Sequence, residues 1–260
     1  MTAIPLSGAK RVSAALRAPS HGRPALVAYL TAGFPAKESF ARDLLSIAGE
    51  ADVVEIGVPF SDPLADGVTI QRASRVALEN GVTLRWILEE LSRLSELPRS
   101  PLILMSYLNP LLSFGYERLA ADSARAGVAG FVVPDLPLEE SAPLRAALDR
   151  AGLALVQLVS PVSPPERAKM LCEASTGFVY AVTMTGTTGG SFESASIAHY
   201  LDTLRSVSPL PVCAGFGIRS RDQVAALAAH VDGVVVGSAL VEAIERGVDP
   251  AAILRGLRAG

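Results

Sequence analysis

Lysine, histidine and cysteine are scarce in this chain of 260 residues. Its lysines are Lys10, Lys37 and Lys169, and none closes an apolar run that reads as a strand. A carbonyl chemistry that runs through a Schiff base needs a desolvated lysine in the site, so that class is excluded. The histidines are as dispersed: His21 precedes the first apolar run, His199 falls in a helical stretch and His230 precedes the last apolar run. They form no His/carboxylate set spaced to hold a metal. Cys172 and Cys213 lie far apart among apolar residues and read as buried free thiols of a reducing cytoplasm, not as a disulfide. Half of the residues are hydrophobic. Yet no uninterrupted apolar run approaches the ~20 residues of a membrane span. The first ten residues also lack a signal-peptide core. A net charge of −3 without a basic cluster offers nothing to nucleic acid. No dinucleotide fingerprint with its downstream acid is present. The expectation is a cytoplasmic protein with neither a membrane nor a nucleic-acid partner.

What is present is a regular alternation. Short apolar runs at 25–30, 53–56, 102–105, 130–133, 154–158, 177–182, 211–214 and 233–236 read as strands. Amphipathic stretches at 39–48, 84–94, 117–126, 141–151, 165–174, 195–207 and 221–229 read as helices, with a leading helix at 8–17 that caps one end. Strands that alternate with helices and carry no polar face suggest a parallel sheet covered on its outside. Eight units, and a length close to the roughly 250 residues typical of the fold, predict a single (β/α)8 TIM barrel over 1–260. A doubly wound sheet is the alternative.

In such a barrel, chemistry gathers where the strands end. The second strand ends on Glu55, and the Gly/Pro-rich loop that follows carries Asp62 and Asp66. Glutamate is a poor strand residue. A carboxylate at the mouth of a buried strand should have its pKa pushed upward, towards values useful for acid/base work. Asp62, before Pro63, reads as turn chemistry. The other strand ends offer Tyr29, Tyr107 with Asn109, Asp135 and Tyr180, then a Thr/Gly-rich run over 185–190. Gly215-Phe216-Gly217 follows the seventh strand, and Gly237-Ser238 follows the eighth and opens a short helical stretch. Glycines let backbone amides approach an anion, and a helix N-terminus adds its dipole. With Gly189 after strand six, these turns predict a phosphate held mainly by backbone amides; a pair of tight turns is the bland alternative. Tyr29, Phe60, Tyr107, Tyr180 and Phe216 could flank a planar apolar substrate.

Five motifs carry a resemblance. They are Glu55-Ile56-Gly57-Val58-Pro59-Phe60-Ser61-Asp62-Pro63-Leu64-Ala65-Asp66-Gly67, Tyr107-Leu108-Asn109-Pro110, Pro134-Asp135-Leu136-Pro137, Gly186-Thr187-Thr188-Gly189 and Gly215-Phe216-Gly217-Ile218. In this order they resemble the α subunit of tryptophan synthase over almost the whole chain. The resemblance implies retro-aldol cleavage of indole-3-glycerol phosphate to indole and glyceraldehyde 3-phosphate. It implies that Glu55 and Asp66 are the catalytic carboxylates and that Thr188 reaches Asp66 when its loop closes. Tyr29, Tyr107, Tyr180, Thr188, Gly189, Phe216, Gly217, Gly237 and Ser238 would line the substrate site. No cofactor or metal is implied in this chain. Pyridoxal phosphate is expected in a partner β subunit of an α2β2 assembly. The partner surface would include Pro59, Asp62, Pro63, Asn109 and Pro110, with the apolar run Leu111-Leu112-Ser113-Phe114 in a partner-covered loop. Val68 stands where many members carry proline, and 189–194 lacks the basic residue many members have nearby. A stand-alone indole-releasing lyase, or a silent α-like activator of a β partner, would share much of this pattern.

Overall fold

The computed structural model describes residues 6–20, 24–183, 194–215 and 217–258. Eight parallel strands close into a barrel in chain order. They are β1 (Ala25–Thr31), β2 (Val53–Gly57), β3 (Leu102–Met105), β4 (Val128–Val132), β5 (Ala154–Val159), β6 (Val179–Val182), β7 (Val212–Gly215) and β8 (Gly233–Val236). The ring shuts where Ala25 to Ala28 of β1 pair with Gly233 to Val236 of β8. Around it, and across one end, run α1 (Gly8–Arg17), α2 (Phe40–Ala48), α3 (Val68–Glu79), α4 (Leu84–Ser92), α5 (Leu108–Phe114) and α6 (Tyr116–Arg125). They continue as α7 (Ala142–Arg150), α8 (Pro165–Ala174), α9 (Ser194–Val207), α10 (Arg221–Leu227), α11 (Ser238–Glu245) and α12 (Pro250–Arg258). No helix among the described residues is long and apolar enough to cross a membrane.

Successive side chains on a strand point to opposite faces, and both faces here are dry. Val27, Val53, Ile103, Ala129, Val156, Phe178, Cys213 and Val235 fill the barrel interior. Their neighbours Leu26, Val54, Ile56, Leu104 and Val234 pack outward under the helices. This two-sided burial explains the near-continuous apolar runs. The leading helix caps the barrel as expected: Val12 and Leu16 of α1 are fully buried in the interior cluster. α1 lies close, because a side chain at Gly8 would come within 2.4 Å of the Ala129 carbonyl oxygen. The Ser13 hydroxyl donates to the Gly177 carbonyl from the same helix. With the N-terminal end plugged, the strand C-termini form the open rim.

The structure corrects several boundaries. β4 begins at Val128 rather than at 130, and β6 begins at Val179 because Gly177 turns with φ +85°. Helix α3 was not expected from the sequence. Its inner face is Thr69, Ala73, Ser74 and Ala77, small or polar residues that carry little periodic hydrophobicity. The segment 109–116, expected as a partner-covered loop, is mostly the helix α5. The Asp135 carboxylate receives the Leu108 N–H at 2.8 Å and holds its first turn, and Gly115 ends it at φ +87°. Its apolar run is largely used within the chain. Leu111 is buried, and the guanidinium groups of Arg85 and Arg118 cover the Phe114 ring, leaving Leu112 58% exposed. Pro59, expected on the partner surface, is buried because the chain stays in the sheet's path past β2, with the Val58 N–H bonded to Met105 O.

At the N-terminal side, Asp52 joins three segments. Its carboxylate accepts the N–H groups of Ser20 and Leu26 at 2.9 and 2.8 Å and the Arg258 guanidinium at 2.6 Å. Both charged side chains of that pair are largely buried. Removing one member of a buried pair strands the other charge. Asp52→Ala should therefore destabilise the fold by ~3 kcal/mol in urea unfolding. A loss below ~1 kcal/mol would show that the contact is dispensable.

Candidate active site

Glu55 is the third residue of β2, in register with Tyr29 on one side and Ile103 on the other. Only 1% of it is exposed, and its Oε1 has no hydrogen-bond partner among the described residues. An ionised carboxylate is costly in such a place, and no cation among the described residues pairs with it. Burial pushes its pKa up to about 8, and the nearby charge of Asp66 adds to the rise. The upward shift expected from the sequence is found, and Glu55 is protonated at neutral pH.

Asp66 arrives from the β2–α3 loop, which is wound tightly by bonds from Leu64 N–H to Asp62 O and from Asp66 N–H to Pro63 O. Two side chains fix the loop to the barrel. The Tyr107 hydroxyl accepts the Ala65 N–H at 2.9 Å and donates to Asp66 Oδ2 at 3.2 Å. The Gln71 amide, from the first turn of α3, donates to Asp66 O at 2.8 Å. The Phe60 ring stacks on Tyr107 at 5.0 Å, holding the phenol in place. Burial raises the Asp66 pKa to about 6, and the Tyr107 bond works against that rise. Asp66 is therefore the anion of the pair at neutral pH. Asp62 sits exposed at the loop tip, bonded to its neighbour Ser61.

Tyr29 and Tyr180 are buried too, and each lies across a glycine of the next strand. A Cβ on Gly57 would fall 2.0 Å from the Tyr29 hydroxyl oxygen, and one on Gly215 would fall 2.5 Å from that of Tyr180. These two strand glycines exist to let a ring lie flat on the neighbouring backbone. The Tyr29 hydroxyl pairs with Thr31 Oγ1 at 3.2 Å, and the Thr183 hydroxyl donates to Gly215 O at 2.8 Å. Burial first, and the carboxylates after it, keep both phenols neutral. The rim is thus walled by Tyr29, Tyr107 and Tyr180 around Glu55 and Asp66. Thr31, at the end of β1, belongs to the same constellation, as do Gln71 and Thr183, which were not singled out from the sequence. Hydroxyls and amides at strand ends are common, and only their contacts mark these.

On the far side of the rim, Gly217 turns with φ +86° and Gly237 caps α11, whose first residue is Ser238. A side chain at Gly237 would meet nothing closer than 3.7 Å, so crowding does not require this glycine. The first amides of α11 point along the helix axis without intrahelical partners, as at any helix start. Thr188, Gly189 and Phe216 lie outside the described residues. The described residues contain no group of three or more His, Cys, Asp or Glu able to hold a metal ion. One cavity, of about 550 Å³, is outside the barrel mouth. It lies on the outer flank between the Asp66 loop and α3, lined by Phe60, Ser61, Pro63, Val68, Arg72 and Arg75.

The protein-family model of the tryptophan synthase alpha chain matches residues 16–255. The chain belongs to the tryptophan synthase α-chain family. It is 48% identical over 230 residues to the tryptophan synthase alpha chain of Desulfovibrio desulfuricans, covering 87% of this chain and 90% of the relative. To that of Bacillus thuringiensis subsp. konkukian it is 44% identical over 241 residues, 92% of each. Its fold is similar to that of tryptophan synthase from M. tuberculosis in an open form with BRD0059 bound, with a TM-score of 0.86 at 36% identity over 98% of both chains. It is also similar to a mutant tryptophan synthase alpha-subunit from Pyrococcus furiosus, with a TM-score of 0.82 at 34% identity over 90% of this chain and 97% of the other. As a tryptophan synthase α chain it is a carbon–carbon lyase that performs the indole-3-glycerol phosphate cleavage step of tryptophan biosynthesis.

The Glu55 pKa has a consequence for stability. The unfolded chain releases this proton near pH 4.5, whereas the folded chain keeps it to about 8. The contribution of Glu55 is therefore fully present below 4.5 and is lost as the pH rises to about 8. Glu55→Gln has no such proton to lose. Its melting temperature should gain on that of the parent steadily across this window and then run parallel above it. A constant difference at all pH values would mean that Glu55 ionises normally in the folded protein.

Proposed function

We propose that Glu55 and Asp66 perform the cleavage as a proton donor and a fixed anion. The observation that carries this reading is the separation of their pKa values, about 8 and about 6, inside one buried rim. Between those values one carboxyl holds a proton and the other does not, which assigns their roles. Indole is a poor carbanion leaving group until C3 is protonated. Glu55 delivers its proton to C3, and the ring nitrogen takes up positive charge. The Asp66 carboxylate stabilises that charge where it develops. Glu55, now ionised, accepts the proton of the glycerol hydroxyl next to the breaking bond. The carbon–carbon electron pair returns to the ring, giving indole and the aldehyde of glyceraldehyde 3-phosphate. Tyr29, Tyr107 and Tyr180 wall the indole. The amides around Phe216, Gly217, Gly237 and Ser238, with Gly189, hold the phosphate, and Thr188 meets Asp66 on closure.

Glu55→Gln should lower indole release by ~10²–10⁴-fold while inorganic phosphate still binds. Asp66→Asn should do likewise, whereas Asp62→Asn should leave the isolated chain's activity intact. Parent activity should rise with pH through about 6 and fall through about 8. In Asp66→Asn the lower limb should vanish and the upper limb move down, because the Asp66 charge helps to hold the Glu55 proton. Near-parent turnover in Glu55→Gln would sink the assignment.

The same reading makes 1–260 one catalytic domain of a cytoplasmic α2β2 enzyme, with pyridoxal phosphate in the β subunit and no cofactor in this chain. The β subunit is proposed to cover the flank carrying Asp62, Pro63, Asn109 and Pro110. Leu64 and Val68 on that flank are 84% and 75% exposed beside the 550 Å³ cavity. Apolar residues so exposed at a cleft mark a docking face. Because this loop also bears Asp66, partner binding should raise turnover by shifting the loop towards its closed form. A titration with a cognate β subunit, following indole release and analogue affinity, tests this. No change in either would leave a stand-alone lyase.

A further inference from the structure

Glu242 lies on α11, one turn after Ser238, and its carboxylate binds two other segments. Arg219, two residues past Gly217 in the turn from β7 to α10, donates through both terminal nitrogens at 2.8 and 2.8 Å. Thr69, the second residue of α3, donates its hydroxyl to Oε1 at 3.1 Å. Arg219 is itself set by the start of α10, where its N–H bonds to Gln223 Oε1 at 2.7 Å beside the Ser220 capping box. The three segments joined at Glu242 are not equivalent. The β7 turn and α11 flank the proposed phosphate site. Helix α3 begins at Val68, two residues after Asp66, and its Gln71 holds the Asp66 carbonyl. A second tie runs between the same helices, from Arg72 of α3 to both oxygens of Glu245 at 3.1 and 2.6 Å.

A two-pronged Arg–carboxylate contact fixes direction as well as distance. Engaged in this way, the Arg219 guanidinium is turned to Glu242, while its backbone stays in the turn that holds Gly217. The Arg219 bond keeps Glu242 ionised down to about pH 2, so the junction persists throughout the working range of the two catalytic carboxyls. Thr69 is buried, so its contact to Glu242 is screened less than one on the open surface.

We propose that Glu242 is a positioning residue that couples the phosphate-holding rim to the Asp66 segment, through Arg219 on one side and Thr69 on the other. The inference rests on the assignment of Asp66 and of the phosphate turns given above. Phosphate binding then orders α11 and the β7 turn, and Thr69 transmits that order to the start of α3 and so to the Asp66 carboxylate. The two arms of the junction have separable effects. Cutting the Arg219 arm loosens the phosphate site, whereas cutting the Thr69 arm leaves it intact and misplaces Asp66.

The test uses the full chain, with inorganic phosphate as probe and indole-3-glycerol phosphate as substrate. Glu242→Gln should weaken inorganic phosphate and raise KM by about 5-fold, the low end of site coupling because the ion pair is part-exposed. Thr69→Val should leave phosphate affinity and KM near the parent values and lower kcat by about 3- to 10-fold. Arg219→Glu combined with Glu242→Arg should recover phosphate affinity to within about 2-fold, since the pair is rebuilt in reverse. Melting curves report the folded fraction of each variant. If Glu242→Gln does not fold, Thr69→Val and the reversed pair decide. The proposal is overturned if Thr69→Val retains parent kcat, or if Glu242→Gln binds phosphate as well as or better than the parent. Tighter binding would mean that Glu242 withholds Arg219 from the phosphate. Glu55→Gln, run in parallel, separates the two readings. Its retention of turnover would remove the carboxylate mechanism, while the phosphate affinities would still report on the Glu242 junction.

Discussion

Closure of the sheet through the β1–β8 pairing is the constraint on which the rest of the molecule depends. A ring of parallel strands has no free edge and brings every strand C-terminus to one rim. It also creates a packed, largely apolar interior. Val12 and Leu16 of α1 complete that dry interior from below. Residues far apart in the chain, such as Glu55 on β2, Tyr180 on β6 and Gly237 after β8, can share one rim only because the ring closes.

The dry interior then sets the electrostatics. Glu55 meets a buried setting and the Asp66 charge, with no compensating cation among the described residues, and it keeps its proton. Asp66 receives the Tyr107 hydroxyl and loses its proton more readily. Beyond the ordinary gap between Glu and Asp, the difference arises from the deeper burial of Glu55 and from the Tyr107 bond that Asp66 receives. Tyr107 acts three times in this arrangement: it stacks on Phe60, accepts from the Asp66 loop and donates to the Asp66 carboxylate. One side chain therefore acts on both the loop geometry and the charge state of Asp66.

The rim is also held together from outside the barrel mouth. Asp135 braces the start of α5, Gln71 braces the Asp66 carbonyl, and Glu242 joins α3, α11 and the β7 turn. These contacts link loops that the barrel itself leaves independent. They tie α11 and the β7 turn to the helix that braces the Asp66 loop.

Much of this was legible in the chain alone. Two-sided burial writes each strand as an apolar run, so eight strands and their order could be read. Glu55 stood out because a carboxylate interrupts such a run. Helix α3 could not be read, because it buries Thr69, Ala73, Ser74 and Ala77 against a close neighbour and small residues give no periodic signal. The run at 111–114 was misread as a loop because local composition does not reveal that Asp135 would start a helix there or that Arg85 and Arg118 would cover Phe114. The roles of Gly57, Thr69 and Glu242 were equally hidden, since each is defined by a partner many residues away. The sequence by itself determined the strand order and the barrel and drew attention to Glu55, because these follow from periodicity and from the local cost of a charge in an apolar run, whereas Asp66 was pointed to by the resemblance. Only the tertiary structure decided which carboxyl keeps its proton and which side chains hold the rim, because those depend on distances between segments that meet when the ring closes.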